Sequence, residues 1–276
     1  MTYWPLIACA AASALLIPIL FLRTPVAALC RRELYTLVNG PIGLVSFAAF
    51  LLISQSMFAA VVFAYGEAGM RPFFEEIPLA FTLVAPLVAM RMWADERRGR
   101  TLELLLTLPI RTTSAVFGKF LAGWIFLAVC LAGTLATPLI LDWRLTAPNV
   151  SPDWGPIAGG YLASLLLAAF ALSIGSFASA LTQDQIVAAI GGVFIGLLLW
   201  TAGLPLVVGT LNGLYPGDGE FLAEFSHQRR FLNLAKGLWD LTAALYFASG
   251  SFAFLARTST IHEKQRSCRR AAAETA

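Results

Sequence analysis

The chain has 276 residues, of which 58% are hydrophobic and 13% charged, with a formal net charge of +3. Soluble domains carry about 25% charged residues, so this composition excludes an ordinary soluble domain and describes a polytopic membrane protein. The small positive excess is no nucleic-acid footprint and fits the basic bias of cytoplasmic loops.

A helix needs about 20 apolar residues to cross a bilayer. Seven segments qualify: 3–22, 41–65, 77–93, 114–141, 156–181, 186–211 and 238–256. The expected fold is therefore an all-α helical bundle with six core spans and an extra N-terminal one, joined by cytoplasmic interfacial and coupling helices. Residues 3–22 lack a charged leading region and a small-x-small cleavage site, so a cleaved signal peptide fits poorly. They read as a further span, with a start-site artefact or an interfacial segment as alternatives. The domain expectation is an extra hydrophobic segment at 1–22, a transmembrane helical unit over 23–260 and a basic cytoplasmic tail at 261–276.

Orientation follows from Lys and Arg. With 23–40 placed in the cytoplasm, fourteen of the 19 Lys and Arg fall on the inner side and five outside: Arg71, Arg144, Arg229, Arg230 and Lys236. Trp93 then falls at the inner boundary, with Trp143, Trp154 and Trp239 near the outer one, where tryptophan belts sit. Arg91 is expected to snorkel to the inner interface.

Residues 23–40 form a basic amphipathic helix, with Val26, Leu29, Leu34, Leu37 and Val38 beside Arg31, Arg32 and Glu33. It belongs in the inner interface and turns into a span at Asn39-Gly40-Pro41. Taken alone, it also fits a simple positive-inside anchor.

Residues 94–110, ADERRGRTLELLLTLPI, are the strongest functional signal. Asp95 and Glu96 open the segment, where negative charge suits a helix N-terminus. Arg97 and Arg98 follow. Arg100, Glu103 and Thr107 recur along one side, while Leu102, Leu105, Leu106 and Leu108 make the greasy side. A solvated loop has no use for that leucine stripe. A charged amphipathic helix between two spans fits a docking element for a cytoplasmic partner.

Further along, Thr182–Gln185 is a short turn in which Asp184 suits a helix cap. Residues 220–236 read as an amphipathic helix on the outer membrane surface or over an exit path, with Phe221, Leu222, Phe225, Leu232 and Leu234 on its apolar side. Gly192-x-x-x-Gly196 is a candidate dimer seam.

Several chemistries find no support. The four cysteines lie in different segments without a CxxC spacing, and the two histidines, His227 and His262, fall in separate loops, so no metal site is expected. Gly118-Lys119 lacks the remaining residues of a phosphate loop, and Lys119 reads as an inner-boundary residue. Glu75-Glu76 is reminiscent of membrane-embedded proteases with paired glutamates. Those also need a downstream arginine, where Ala80 stands here, and histidines within spans. No enzyme activity is expected. The glutamates read as solvated outer-rim residues, with a polar substrate path as the alternative.

Five motifs in order carry a resemblance: AALCRRELYTLVNGPIGLVSF; Pro86-x-x-x-Met90-Arg91 leading through Glu96-Arg97-Arg98 to Thr101-x-Glu103-Leu104-Leu105-Leu106-Thr107-x-Pro109; Gly118-Lys119-Phe120; Leu181-Thr182-x-x-Gln185-Ile186-Val187-Ala188-Ala189-Ile190; and Phe231-x-x-x-x-Lys236-Gly237-x-x-Asp240 with Tyr246. Together, over residues 26–260, they resemble the permease subunits of ABC type 2 exporters, in particular their gliding-motility branch. The resemblance implies a permease without cofactor of its own, ATP and Mg being bound by a separate cytoplasmic ABC subunit. It also implies a second permease copy or paralogue, a bacterial inner membrane, and export of an unidentified substrate. An outer-face partner, as in a motility or envelope complex, is the alternative. The implied contact with the ATPase comprises Asp95, Glu96, Arg97, Arg98, Arg100, Thr101 and Glu103, with Arg31, Arg32 and Glu33 on the interfacial helix. Arg100 stands where that family usually has glycine.

Overall fold

The computed structural model describes residues 25–65, 70–99, 112–144, 154–214, 218–235 and 240–274. Among them every regular element is an α-helix, because long apolar runs in a membrane can satisfy their backbone groups only within the segment. The helices are α1 (Pro25–Asn39), α2 (Pro41–Tyr65), α3 (Arg71–Arg98), α4 (Thr112–Gly133), α5 (Ala136–Arg144), α6 (Trp154–Leu181), α7 (Gln185–Thr201), α8 (Pro205–Leu214), α9 (Asp218–Glu224), α10 (His227–Ala235) and α11 (Leu241–Glu274).

Four stretches are long and apolar enough to cross a membrane: Pro41–Phe63, Arg71–Arg98, Thr112–Leu141 and Trp154–Leu181. A fifth arises if α7 and α8, bent by 65° at Leu204-Pro205, form one broken span. The chain is thus an all-α, multi-pass membrane bundle. The sixth core span expected over 238–256 falls in α11, whose described part, from Leu241, does not reach the same apolar length. Ser249, Gly250 and Ser251 dilute it and Arg257 interrupts it. α11 also runs unbroken past residue 260, so the basic tail begins as a continuation of that helix. The proposed span at 3–22 lies outside the described residues.

α3 is the centre of the bundle. It packs most heavily against α6, then α7 and α2, while α11 covers the other side of α6. The contacts are close because small residues meet large ones. Phe74 lies against Gly160, and a Cβ on Gly175 would come within 2.7 Å of the Ala89 Cβ. Phe50 stacks on Phe81 at 4.9 Å, and Phe170 gathers Tyr246, Phe247 and Phe254 around it. α2 instead exposes Leu44, Val45, Leu52 and Phe63, a face suited to lipid.

Two expectations change at the end of the bundle carrying α9 and α10. Within the helix expected over 220–236, the described residues 220–235 belong to two short helices that break at Phe225-Ser226, not to one helix on the surface. Phe221 and Phe225 are exposed, whereas His227, Phe231 and Leu234 are buried against the spans. Hydrogen-bonding capacity explains the difference: the His227 ring finds a partner in Thr82, deep in α3, at 3.0 Å. The two histidines expected in loops therefore both sit inside the bundle, His227 at 2% and His262 at 0% exposure.

Candidate functional site

The opposite, basic end of the bundle holds a buried ionic junction. Lys119, near the start of α4, is 2% exposed, and its Nζ lies 2.9 Å from Glu33 Oε1 and 2.9 Å from Glu96 Oε1. The two carboxylates come from different elements, α1 and the last turn of α3. A lone buried ammonium is costly, and two carboxylates accepting its N–H groups offset that cost. The Trp93 ring, 5.3 Å from the ammonium, adds its negative face.

Local sequence explains how these groups meet. Gly118 lets α1 settle on α4: a Cβ there would stand 3.1 Å from the Val26 carbonyl oxygen and 3.3 Å from Leu29 Cβ. Glu33 follows Leu29 by one helical turn, which delivers its carboxylate to the residue after Gly118. Cys30, 1% exposed, seals the same seam with Ala122 and Ile125. Burial, and then the Glu33 carboxylate, hold the Cys30 thiol above its ordinary range.

Trp93 ties the junction to the rest of the bundle. Its indole N–H donates to Ser176 Oγ at 3.2 Å, and His262 of α11 stacks on it at 4.1 Å. Ser179 Oγ receives the backbone N–H groups of Trp93 and Ala94 and donates to the Met90 carbonyl at 2.8 Å. One hydroxyl from α6 thus joins both ends of a turn in α3. Trp93 is therefore not a lipid-facing belt residue but a buried hub. His262 lies beyond the apolar part of α11, and its imidazole is held down from 6.5 to about 4. Burial is the main cause, then the Arg97 charge; Gln265 opposes and Lys119 adds slightly.

Of the residues singled out from sequence, Asp95–Arg98 do not open a separate helix. They form the last turn of α3, closed by the Gly99 N–H on the Asp95 carbonyl at 2.8 Å, so Arg97 and Arg98 lie where a helix C-terminus favours cations. Asp95 pairs with Arg91 at 2.8 Å and accepts from Gln185, the first residue of α7. Arg91, expected to reach for the interface, is thus held by its neighbour one turn on. Asp184 caps α7 by accepting the Ile186 N–H at 2.8 Å. Glu96 is part of the junction. Arg97 buries Nε and Nη2 with no acceptor among the described residues, while Arg98, like Arg31 and Arg32, is exposed. Arg100, Thr101 and Glu103 lie outside the described residues. Gly192 and Gly196 face α3 of the same chain: Cβ atoms there would stand 2.9 Å from Pro86 Cβ and 2.8 Å from Thr82 Cγ2. The face assigned to a dimer seam is thus packed on Pro86 and Thr82 of the same chain, at distances that leave no room for a side chain.

Sequence reading missed Lys119 and His262. The signal lay in spacing: Lys119 sits inside an apolar run, where an ionisable residue demands a partner. Among the described residues no group of His, Cys, Asp or Glu could hold a metal.

A multi-pass helical bundle with a charged junction at one end defines an all-α integral membrane protein. The family model for "ABC-2 family transporter protein" matches residues 55–262, most of the chain, and the chain belongs to that family. No curated protein matches it.

Proposed function

We propose that this chain is the permease subunit of an ATP-driven exporter in a bacterial inner membrane, related to the gliding-motility branch of its family. ATP is hydrolysed on a separate cytoplasmic subunit, and a second permease copy or paralogue completes the path. The segment 94–110 docks that ATPase through Asp95, Glu96, Arg97, Arg98, Arg100, Thr101 and Glu103, with Arg31 and Arg32 of α1 beside it.

One observation carries this reading. Lys119 links α1, the end of α3 and the start of α4 through two 2.9 Å ion pairs. Any push on the segment after Gly99 therefore reaches three helices at once. Arg31 and Arg32 on α1 and Arg98 at the end of α3 are exposed on the elements that form this joint. Sparse charge in the spans favours a lipid-like or hydrophobic cargo over a small ion.

The direct test is purification of the tagged protein from native membranes in mild detergent. An ATP-binding subunit in about equal amount is the expected companion. A solitary protein, reproducible across detergents and lipid nanodiscs, refutes the assignment. A second reading has the subunit transmit ATPase motion to an outer-face partner of a motility or envelope complex; the exposed Phe221 and Phe225 favour it. Replacing both with serine should then abolish partner recovery while sparing the ATPase.

A further inference from the structure

A second polar point lies far from the junction, where His227 at the start of α10 meets Thr82 of α3 at 3.0 Å. Two rulers give its depth. Thr82 stands six residues inward of Glu76 on α3, and Tyr246, whose hydroxyl donates to the Phe225 carbonyl at 2.6 Å, stands six residues inward of Asp240 on α11. Both counts put the turn between α9 and α10 about 9 Å inside the charged outer limit of the bundle. Phe170 agrees: its ring lies 6.1 Å from His227 and 5.6 Å from Tyr246, well inside the 28-residue α6.

This turn carries charge to that depth. Arg230 pairs with Glu224 across it, and the Arg230 guanidinium lies 5.9 Å from the Tyr246 ring, at the level just measured. The pair is not sealed off: the Glu224 side chain is 55% exposed and that of Arg230 25%. Arg229, next along α10, is exposed as well. The adjoining hairpin arm is of the opposite character. α8 packs against α9, has no charged residue and exposes Leu206 and Leu214 at 79% and 70%. On α9, Glu220 and Glu224 form an acidic strip beside the stacked Phe221 and Phe225.

Ionised groups within the thickness of a bilayer face the protein interior or a water-filled space, because acyl chains cannot solvate them. A protein face packed here would have to desolvate the Glu224–Arg230 pair, which already neutralises itself and has little charge left to recruit a complement. We propose that water covers the face carrying Glu224, Arg229 and Arg230. The α8–α9 hairpin then screens an aqueous recess from lipid, its apolar arm α8 towards the acyl chains and its acidic arm α9 towards the water. The recess reaches about 9 Å into the membrane from the end opposite the ionic junction and stops above the buried His227.

Thiol labelling tests this, because a charged methanethiosulfonate attacks the thiolate, which forms in water and not among acyl chains. Arg229→Cys, Glu224→Cys and Leu245→Cys are made in the full-length chain and reconstituted in liposomes with the reagent on both faces. Leu245 adjoins Tyr246, so it shares that depth, and it is 58% exposed on an apolar side of α11. The unmutated chain, with its four cysteines, gives the background. Arg229→Cys and Glu224→Cys should each react at least about tenfold faster than Leu245→Cys, and all three should react alike once unfolded in dodecyl sulfate. Arg229→Cys or Glu224→Cys as slow as Leu245→Cys overturns the proposal, since lipid or protein then covers that face. Leu245→Cys as fast as the other two overturns it as well, since that level then lies outside the bilayer. Should Glu224→Cys fail to fold without its ion pair, Arg229→Cys decides alone.

Discussion

Replacing Lys119 by methionine keeps most of the side-chain volume and removes only the ammonium. Glu33 and Glu96 are then left facing one another in a site where their side chains are 22% and 15% exposed. Removing one partner of a buried ion pair costs about 3–5 kcal/mol. The residual solvent access of both carboxylates favours the lower end, about 3 kcal/mol, which corresponds to roughly a hundredfold change in the folded population. Replacing all three groups, as Glu33→Gln, Lys119→Met and Glu96→Gln together, should recover most of that loss, because no uncompensated charge remains. Denaturant unfolding in detergent micelles measures both. A local readout is also available: Cys30, buried in the α1–α4 seam, should react faster with a maleimide in Lys119→Met once the other cysteines are replaced by serine. A Lys119→Met protein within about 0.5 kcal/mol of the unmutated chain, with Cys30 still protected, would refute the junction as a structural tie; surface pairs contribute only that much.

Other consequences are equally direct. His262 is held at about 4 against an ordinary 6.5, with Arg97 and Lys119 as its cationic neighbours and Glu33 and Glu96 behind Lys119. Its neutral form therefore contributes stability that is fully present above pH 6.5 and lost as pH falls towards 4, by up to about 3 kcal/mol. His262→Phe, which keeps a ring on Trp93, should flatten that part of a stability–pH curve; an unchanged slope counts against the assignment. Ser179→Ala strips the hydroxyl from the Met90–Ala94 turn and should cost about 1–3 kcal/mol in unfolding assays, whereas a neutral effect would show the bridge to be incidental. Gly118→Val pushes α1 off α4 and should cost about 1–3 kcal/mol, with Cys30 becoming reactive; a silent substitution would mean that α1 packs elsewhere. Arg98→Glu should leave unfolding unchanged, since its side chain is exposed, yet weaken recovery of the ATPase subunit, and undiminished recovery would remove Arg98 from the contact.

Much of the architecture could be read from sequence because membrane helices announce themselves by length and apolarity alone. Helical class, the boundaries of α2 and α6, and the Asp184 cap follow from such local rules, whereas the expected run over 114–141 is split between α4 and α5. α11 fails the same rule through its serines and Arg257, although its buried Ala243 and Phe247 show it packed into the bundle. What sequence could not show was partnership across the fold. Lys119 and Glu33 are 86 residues apart, and so is the Trp93 N–H from Ser179. A lone lysine in an apolar run signals that a partner exists without saying which carboxylate it is. His227 illustrates the same limit: an imidazole beside Arg229 and Arg230 reads as a surface group, yet its partner is Thr82, 145 residues away in the chain.

The two polar points also explain why α3 suits a role in passing movement through the bundle. A helix in an apolar bundle that carries Pro78 and Pro86 bends more readily than its neighbours. Its basic end is clamped, because Trp93, Asp95 and Glu96 reach α6, the start of α7, and α4 respectively. Its middle is held by the His227–Thr82 contact to α10 and by close packing on Gly192 and Gly196 of α7. A displacement of the segment after Gly99 therefore cannot be absorbed at the clamped end, where a shift would break ion pairs together. On the proposed docking, such a movement would be taken up near Pro86, where the Thr82 carbonyl lacks its usual helical donor.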